Sequence, residues 1–367
     1  MRFRPTVAHV DLGAVRHNVR ALRPPDAELM AVVKANGYGH GDVPVARAAL
    51  EAGTAWLGVA LVEEGIRLRE AGIEAPILVL TEFPPGSEKD ALTASLTPSL
   101  YTERGLEALV EACRALGRPA GVHIKVDTGM HRVGLPPEQA VSLAEDARHQ
   151  GLQIEGVWSH LAVSEEPEDE ANARQLVLFR QILDDLDRAG VRPRYRHVAN
   201  SGATIALPQS HLDLVRVGIA AYGISPGPAV AGRVDLRPAM SLRSRVALVK
   251  RVAAGEGISY GLRYAPQRDA TIATVPVGYA DGYLRSLSGR GQVLIGGKRY
   301  PVAGTVTMDQ LMVDCGDDRV ERGDEVVLFG EQDGQLITAE EVAGWAGTIG
   351  YEVVCAVSER VPREYRA

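Results

Sequence analysis

The chain has 367 residues, of which 46% are hydrophobic and 24% are charged, and its formal net charge is −7. This composition is typical of a soluble globular protein that is long enough for two domains. The acidic balance argues against nucleic-acid binding, because such surfaces are normally basic, and no apolar run is long enough to span a membrane.

The first two-thirds of the chain alternate between predicted strands and predicted helices. Short apolar runs predict strands at residues 6–10, 29–33, 56–59, 77–80, 96–100, 122–126, 154–158, 195–199 and 214–217. Helical spacing of apolar residues predicts helices at 12–22, 43–52, 62–71, 103–116, 137–148 and 170–189. About eight strand–helix units favour an α/β fold with a (β/α)8 barrel over residues 1–230. An open doubly wound sheet would give the same alternation, although residues 11–14 lack the glycine pattern of a dinucleotide fold.

Strands dominate the remainder of the chain, from residue 231 to residue 367. They are predicted at residues 241–252, 270–276, 292–295, 298–302, 310–313, 325–328 and 351–357. One predicted helix, at residues 339–346, interrupts them. The sequence therefore predicts a second, mainly β domain.

The three cysteines indicate neither a metal site nor a disulfide. Cys113, Cys315 and Cys355 are odd in number and lie far apart in the sequence. No apolar signal core follows Met1. These features predict a cytoplasmic protein without a bound metal.

One predicted strand ends in a lysine with distinctive surroundings. The apolar run 29–33 leads into Lys34, and a loop with three glycines and Tyr38 follows. A partly dry site would favour the neutral amine, which can attack a carbonyl carbon or take a proton. The glycines allow a sharp turn and a close approach to a ligand. On these residues alone, a solvated lysine in an ordinary loop explains the pattern at least as well.

A barrel places its working residues at the carboxyl ends of its strands, and several polar residues follow predicted strands here. They are Lys34, Lys125, Asp127, Arg132, His160, Asn200, Ser201 and Arg216, with Gly218 and Ile219 after the last strand. Each of them alone has a structural explanation. Together, at one end of a predicted barrel, they indicate an active site.

The same positions carry motifs of a known family. Residues 32–41 read VVKANGYGHG, which resembles the cofactor-lysine motif of alanine racemases. Further matching segments are KVDTGMHRVG at 125–134, VANS at 198–201, VRVGI at 215–219, SYG at 259–261, GYADG at 278–282, MDQ at 308–310, YE at 351–352 and RVPR at 360–363. From about residue 10 to residue 363 the chain resembles the fold-type III alanine racemases, which depend on pyridoxal 5'-phosphate (PLP).

The resemblance implies that L-alanine and D-alanine are interconverted by two bases, which supplies D-alanine for peptidoglycan. Lys34 would hold PLP as a Schiff base and then act as one acid–base group. Tyr260, from the second domain of the partner subunit in a head-to-tail homodimer, would be the other. A phenol needs a neighbouring cation to act as a base at neutral pH, and Arg132 is a candidate.

The resemblance also implies how PLP is bound. Hydroxyls and backbone amides would bind its phosphate, and the residues are Tyr38, Ser201, Gly218, Ile219 and Tyr351. Arg216 would face the pyridine nitrogen and leave it unprotonated, because arginine does not accept a proton.

Two histidines and an asparagine complete the implied cofactor site. His160 would pack against the ring or bridge to Arg216. His197 would lie behind these residues, without contacting the cofactor. Asn200 would be a further cofactor-binding residue.

The substrate carboxylate would be bound by Arg132 and by the backbone near Met308 and Asp309. Tyr279 and Tyr351 would narrow the entrance and favour a side chain as small as methyl.

Lys125 is often carbamylated in the family, and the added negative charge would orient Arg132. An unmodified Lys125 near Arg132 would be repulsive.

Two positions depart from the family pattern. Thr305 stands where many members have arginine, and His131 stands where glycine is common. We expect neither side chain to touch the groups that transfer protons.

Three competing functions remain open at this stage. A decarboxylase on the same barrel would require an acid in place of Arg216. A broad-specificity amino-acid racemase would differ only in the volume of its pocket. A non-catalytic PLP-binding protein would lack the second domain and Tyr260.

Overall fold

The computed structural model describes residues 4–367, which form two compact units. The barrel unit comprises Val15–Gly37 and Asp42–Leu236. The C-terminal unit comprises the chain up to Ala14, Tyr38–Gly41 and Arg237–Ala367. The first elements are strand β1 (Val7–Asp11) and helix α1 (Leu12–Leu22).

The barrel unit contains an eight-stranded parallel sheet. Its strands are β2 (Glu28–Val32), β3 (Trp56–Val59), β4 (Ile77–Val79), β5 (Thr97–Leu100), β6 (Gly121–Lys125), β7 (Gln153–Trp158), β8 (Tyr195–His197) and β9 (Leu214–Val217). They pair in the order β8-β7-β6-β5-β4-β3-β2-β9. Backbone bonds from Asp213 N to Arg196 O, 3.1 Å, and from Arg216 N to Ala199 O, 3.0 Å, join the two edges. The predicted (β/α)8 barrel is confirmed.

Helical segments alternate with these strands. They are α2 (Lys34–Tyr38), α3 (Asp42–Glu51), α4 (Val62–Glu70), α5 (Glu88–Thr93), α6 (Glu103–Leu116), α7 (Ala140–His149), α8 (Glu170–Arg188) and α9 (Ser201–Ala206). Short 3-10 helices occur in this unit at Pro137–Gln139, Pro208–Ser210, Ile219–Tyr222 and Pro228–Val230. Within residues 4–367, no helix combines the length and apolarity needed to cross a membrane.

Helix α6 illustrates how local sequence fixes an element of the barrel. The Thr102 hydroxyl accepts a hydrogen bond from Gly105 N, 2.9 Å, which satisfies an amide at the helix start. Gly117 ends the helix at φ +67°, in the left-handed region that glycine adopts without strain. Leu106 and Leu109 are buried on one face.

Buried side chains fill the inside of the barrel. Met30, Trp56, Leu78, Tyr195 and Leu214, from five different strands, form one apolar cluster. The interior is therefore packed.

The C-terminal unit is built mainly from strands. With β1 they are β10 (Met240–Arg245), β11 (Leu248–Val252), β12 (Ala270–Val275), β13 (Gln292–Ile295), β14 (Lys298–Pro301), β15 (Leu311–Asp314), β16 (Glu325–Gln332), β17 (Gln335–Ile337) and β18 (Arg363–Arg366). One sheet has the order β14-β13-β16-β10-β1-β18, with β17 paired to β16, and another has the order β11-β12-β15. The helices are α10 (Ala339–Ala346) and α11 (Gly350–Cys355), with 3-10 helices at Tyr260–Leu262, Tyr279–Asp281 and Arg285–Leu287.

Three predicted elements differ from the structure. The first predicted strand lies outside the barrel, because β1 pairs antiparallel with β10 and parallel with β18. Residues 241–252 form two strands in different sheets, β10 and β11. Residues 351–357, an apolar and β-branched run, form helix α11 instead of a strand, which buries Val353 and Val354. Local propensity is outweighed by tertiary packing only at residues 351–357, since the other two segments do form strands.

Candidate active site

Lys34 leaves strand β2 through a left-handed turn. The φ angles of Ala35, Asn36, Gly37 and Tyr38 are 53°, 54°, 59° and 51°. This conformation costs roughly 1–2 kcal/mol for each residue other than glycine. Consecutive strained residues directly after a lysine indicate a conformation maintained for function.

Side chains from the barrel unit stabilise this turn. Glu64 accepts a hydrogen bond of 2.6 Å from the backbone amide of Ala35, and its other oxygen accepts one of 2.8 Å from Ala60 N. The side-chain oxygen of Asn36 accepts from Asp42 N at 3.2 Å. The backbone beside Lys34 is therefore tied to the first turn of α4.

Tyr38 and Tyr351 lie beside each other in the C-terminal unit. Their ring centroids are 6.2 Å apart, at an interplanar angle of 49°. The next residue, Gly39, has φ +80°, and a Cβ atom there would overlap the carbonyl oxygen of Val354. Arg363 Nε donates to Gly39 O at 2.9 Å. Two of the predicted phosphate-binding residues are thus brought together.

Arg216, on β9, is buried, with 3% of its surface exposed. Its guanidinium donates to four acceptors: His197 Nδ1 at 3.0 Å, Ser159 O at 2.8 Å, His160 Nδ1 at 3.1 Å and Val198 O at 3.2 Å. All four acceptors are neutral groups. Burial lowers the pKa of Arg216 to about 9, so the side chain is still a cation at neutral pH.

Lys125, at the end of β6, is buried close to Arg216. Its Nζ lies 4.3 Å from the Trp158 ring centroid, and the Arg216 Cζ lies 4.7 Å from the same centroid. Burial, followed by the charges of Arg216 and Arg132, lowers the pKa of Lys125 to about 7, against a smaller opposing effect of Asp127. A large fraction of this amine is therefore neutral and nucleophilic at physiological pH.

His160 is fixed by contacts from two sides. Its Nε2 lies 3.4 Å from Asn200 Nδ2, and its backbone oxygen accepts from Gln175 Nε2 at 3.0 Å. The Ser164 hydroxyl donates to Asn200 Oδ1 at 2.5 Å. Burial and the charge of Arg216 lower the pKa of His160 well below the usual histidine range, so the ring is neutral.

The Ser201 hydroxyl and the backbone amides after β9 form one hydrogen-bonded group. Ser201 is the first residue of α9, after the N-cap Asn200. Its hydroxyl oxygen accepts from Gly218 N at 3.0 Å and from Ala220 N at 3.5 Å. The predicted phosphate ligands Ser201, Gly218 and Ile219 are thus adjacent in the barrel unit.

Asp127 organises the loop that carries Arg132. One carboxylate oxygen accepts from Gly129 N, Met130 N and His131 N at 2.9, 3.0 and 3.1 Å. These bonds lower the pKa of Asp127, although burial, the largest single influence, acts in the opposite direction. His131 has φ +55° and its Nδ1 lies 3.3 Å from the same carboxylate, so the departure from glycine adds a contact to the loop.

Tyr260 is 75% exposed on the C-terminal unit. The Thr305 hydroxyl donates to the Tyr260 backbone oxygen at 2.9 Å, and the Ser259 hydroxyl donates to Thr305 O at 2.7 Å. Thr305 is not expected to touch the proton transfers themselves, and its hydroxyl contacts the Tyr260 backbone, not the phenol.

The predicted residues Tyr279, Met308 and Asp309 also belong to this unit, where two loops are joined by backbone hydrogen bonds. Tyr279 N donates to Thr307 O at 3.0 Å, directly before Met308. Arg360 Nη2 donates to Asp309 Oδ1 at 2.7 Å. Met308 and Tyr279 are exposed.

No pattern in the sequence marks the supporting residues Glu64 and Gln175. Glu64 is one of two consecutive acids in the first turn of α4, where acids are common for helix-dipole reasons alone. Gln175 lies within an ordinary amphipathic helix, yet it donates to the His160 loop. Only coordinates distinguish such residues from ordinary surface or helix positions.

Two family profiles match the chain. They are "Alanine racemase, N-terminal domain" over residues 10–226 and "Alanine racemase, C-terminal domain" over residues 239–365. An alanine racemase of Symbiobacterium thermophilum is 54% identical, over 99% of this chain and 97% of that protein. One of Frankia casuarinae is 46% identical, over 98% of this chain and 95% of that protein.

Solved structures are similar over the full chain. The alanine racemase of a D-cycloserine-producing Streptomyces lavendulae has a TM-score of 0.97 and 45% identity, over 100% of this chain and 98% of that one. The enzyme of Bacillus anthracis with bound L-Ala-P has a TM-score of 0.94 and 39% identity, over 100% and 96%.

Proposed function

The chain belongs to the alanine racemase family, whose members interconvert L-alanine and D-alanine with PLP, and we propose that Lys34 and Tyr260 are its two acid–base groups. The two profiles together match most of the chain, and the relatives match it over nearly their full lengths. Racemisation of alanine with PLP is the activity of this family.

The side chains of the two units fit PLP. A phosphate requires hydrogen-bond donors, and the barrel unit offers the Ser201 hydroxyl, whose oxygen accepts from Gly218 N, while Tyr38 and Tyr351 of the C-terminal unit offer phenols. Lys34 is an amine for the cofactor aldehyde. When bound, PLP withdraws electrons from the substrate α-carbon and makes its hydrogen acidic.

Arg216 is the observation that carries this proposal. It is a buried cation whose hydrogen-bond partners are all neutral. We assign it to the pyridine nitrogen, where it can donate a hydrogen bond and accepts no proton. An acid at that position would favour a more strongly delocalised carbanion and hence decarboxylation, so Arg216 favours a racemase.

The two bases would act on opposite faces of the substrate. Lys34 would exchange a proton with one face of the α-carbon, and Tyr260 of the partner subunit with the other. The exposure of Tyr260 supports its donation to another copy of the chain, since no burial within its own unit constrains it. Leu262, Met308 and Ile349 are exposed apolar side chains of the same unit, which suits them to a homodimer interface.

In this proposal residues 1–230 bind the cofactor, and residues 231–367 contribute Tyr260 to the partner. Arg132 and the backbone at Met308 and Asp309 would bind the substrate carboxylate. Tyr279 would restrict the entrance to small side chains. D-alanine would serve peptidoglycan precursors, which places the enzyme in the cytoplasm.

Lys125 is a suitable site for carbamylation. Its neutral amine would attack carbon dioxide, so that a nitrogen–carbon bond forms, one carbon–oxygen π pair moves onto oxygen, and the nitrogen loses a proton. The product is a carbamate with one negative charge. This charge would replace the repulsion of Lys125 by Arg216 and Arg132 with attraction.

The test is a chiral assay of the PLP-loaded protein with alanine, serine and lysine. Alanine should be racemised fastest, and Lys34→Ala should abolish the activity. Lys89→Ala, at an exposed lysine of α5, is the matched control and should leave it unchanged. A Lys34→Ala protein that racemises alanine at the full rate would refute the assignment of the first base.

A further inference from the structure

Two buried histidines extend from Arg216 into the barrel. Arg216 Nη1 lies 3.0 Å from His197 Nδ1, and His197 Nε2 lies 2.8 Å from His123 Nδ1. Both imidazoles are fully buried. The three side chains form one continuous hydrogen-bonded chain.

Only one arrangement of protons satisfies this chain. A guanidinium has donors and no acceptor, so His197 Nδ1 must carry a lone pair. A neutral His197 then has its proton on Nε2 and donates it to His123 Nδ1, which places the His123 proton on Nε2. A protonated His197 would carry an N–H at Nδ1, facing an N–H of Arg216, which is repulsive. A protonated His123 would donate from Nδ1 to His197 Nε2, which would move the His197 proton to Nδ1 with the same result. All the donors therefore point away from Arg216.

The electrostatics agree with this arrangement. Burial and the charge of Arg216 lower the pKa of His123 to about 3. Burial, Arg216 and His123 lower the pKa of His197 well below the usual histidine range. Both rings are thus neutral at physiological pH.

The chain ends in a buried donor without an acceptor. Within residues 4–367, His123 Nε2 has no hydrogen-bond partner. Leaving a buried N–H unsatisfied is unfavourable, so an apolar residue would suit this end of the chain better. The value of a histidine here must therefore come from its other nitrogen, Nδ1, which accepts from His197.

Packing fixes both rings in this geometry. The Trp158 ring stacks on His197 with centroids 5.7 Å apart and an interplanar angle of 6°, and Tyr195 stacks on His123 at 6.0 Å and 22°. A Cβ atom on Gly156 would overlap His123 Nδ1. Neither ring can turn to exchange its nitrogens without moving its neighbours.

We propose that His123 is a positioning residue for racemisation: by accepting the Nε2 proton of His197 it stabilises the tautomer that Arg216 requires and holds the ring in place, and so keeps Arg216 oriented as a cation without a counter-anion. The proposal rests on the assignment of Arg216 to the pyridine nitrogen. A carboxylate in place of His197 would orient the guanidinium equally well but would neutralise it. Neutral acceptors keep its full positive charge available to the cofactor site.

The tautomers can be measured directly on the full-length protein, without any variant. In protein labelled with ¹⁵N-histidine, long-range ¹H–¹⁵N correlations distinguish protonated from unprotonated ring nitrogens. His123→Asn and His197→Asn spectra assign the two residues by loss of signal. Both rings should be neutral, with the proton on Nε2. An Nδ1–H tautomer or a charged ring at either position would overturn the proposal.

Two variants test whether this chain matters to the reaction. His123→Asn keeps an acceptor, the side-chain oxygen, near the position of Nδ1, whereas His123→Leu removes it. In His123→Leu we expect the His197 ring to lose the acceptor of its Nε2 proton and with it its fixed orientation, kcat to fall about tenfold, and the absorbance of the PLP-loaded protein to shift. His123→Asn should restore kcat to within about twofold, since it restores the acceptor. Equal losses in both variants would contradict the positioning role, because they would reflect packing alone.

Arg216→Gln separates this proposal from the proposed function. If Arg216→Gln shifts the absorbance of the loaded protein and His123→Leu does not, only the role of His123 is wrong. If neither variant shifts it, the assignment of Arg216 to the pyridine nitrogen fails, and the role of His123 fails with it.

Discussion

The hydroxyl of Thr305 donates a hydrogen bond of 2.9 Å to the backbone carbonyl oxygen of Tyr260. Thr305 also accepts, through its own backbone oxygen, from the Ser259 hydroxyl. Ser259 has φ +65°, so the peptide that leads into Tyr260 adopts a strained conformation that these two bonds stabilise.

Thr305→Val should therefore misplace Tyr260 without unfolding the protein. The substitution keeps the shape and removes a hydrogen bond worth about 1 kcal/mol. We expect kcat to fall about fivefold, with little change in the unfolding temperature. Thr305→Ser retains the hydroxyl and should keep near-normal activity. If both variants are equally impaired, loss of the hydroxyl hydrogen bond cannot be the cause, because Thr305→Ser keeps that hydroxyl.

Glu64→Ala should loosen the turn after Lys34. The Glu64 carboxylate accepts from the backbone amides of Ala35, Ala60 and Leu61, and its loss should cost about 2 kcal/mol in the free energy of unfolding. Hydrogen exchange at the Ala35 amide should accelerate, which mass spectrometry of peptides covering the turn would detect. Glu63→Ala, at the exposed neighbouring acid, is the control. Unchanged exchange in Glu64→Ala would show that the turn does not depend on this carboxylate.

The contrast between Lys34 and Glu64 shows what the sequence could predict. A local pattern, an apolar strand that ends in a charged residue and a glycine-rich loop, singles out Lys34, and the resemblance to the family gives it a role. The role of Glu64 depends on α4 bringing its first turn to a loop 29 residues earlier, which is a non-local contact. Arg216 shares the character of Lys34, because a charged residue within an apolar strand is conspicuous.

In the fold, too, features that depend on local sequence were predictable and features that depend on non-local contacts were not. The strand–helix alternation predicted the barrel, since each strand lies beside a strand close to it in sequence. Strand β1 could not be assigned in this way, because its partners β10 and β18 lie more than 200 residues away. Residues 351–357 have strand propensity, yet they form α11, where Val353 and Val354 are buried on one side of a helix.

Gly39→Ala should destabilise the protein more than Gly72→Ala. The two glycines have nearly identical φ angles, +80° and +79°, so an added side chain strains the backbone equally. A Cβ atom at Gly39 would overlap Val354 O, whereas no described atom lies within 4 Å of one at Gly72. We expect Gly39→Ala to lose about 2 kcal/mol more in the free energy of unfolding, and its affinity for PLP to fall because Tyr38 is displaced. Equal destabilisation, measured by urea unfolding, would contradict this close contact.

Lys125 should make stability depend on pH. Its native pKa is about 7, against an ordinary value of 10.5, so between these values the unfolded chain holds a proton that the native chain lacks. The free energy of unfolding should therefore rise with pH above about 7, by at most about 1.4 kcal/mol per pH unit. Below about pH 7 the Lys125 amine is protonated in both the native and the unfolded chain, so the free energy of unfolding no longer changes with pH through this group.

Urea unfolding at several pH values, in buffer depleted of carbon dioxide, would measure this slope. Lys125→Met should flatten it, whereas Lys89→Met should not. If Lys125 is carbamylated, bicarbonate should raise the free energy of unfolding of the wild-type protein without flattening its slope, because a neutral amine and bicarbonate form a carbamate and water without net proton exchange. Bicarbonate should not stabilise Lys125→Met. A Lys125→Met slope equal to that of the wild type would show that Lys125 does not titrate in this range.

Tyr260→Phe should separate the two proton transfers. The enantiomers of alanine have equal free energies, so their equilibrium constant is unity, and kcat/KM must be equal in both directions in every variant. A variant that impairs one proton transfer more than the other therefore cannot show unequal kcat/KM values for L-alanine and D-alanine. It can appear in hydrogen exchange: in deuterated water, Lys34 should still remove and return the α-hydrogen on its own face.

Tyr260→Phe should thus incorporate deuterium into one enantiomer of alanine without inverting it, while the other enantiomer exchanges far more slowly. Nuclear magnetic resonance of the α-hydrogen and chiral chromatography would measure exchange and inversion separately. Tyr101→Phe, which removes a phenol elsewhere in the barrel unit, should leave both reactions coupled. Equal exchange of both enantiomers by Tyr260→Phe would require a single base that reaches both faces, and the assignment of Tyr260 would then be wrong.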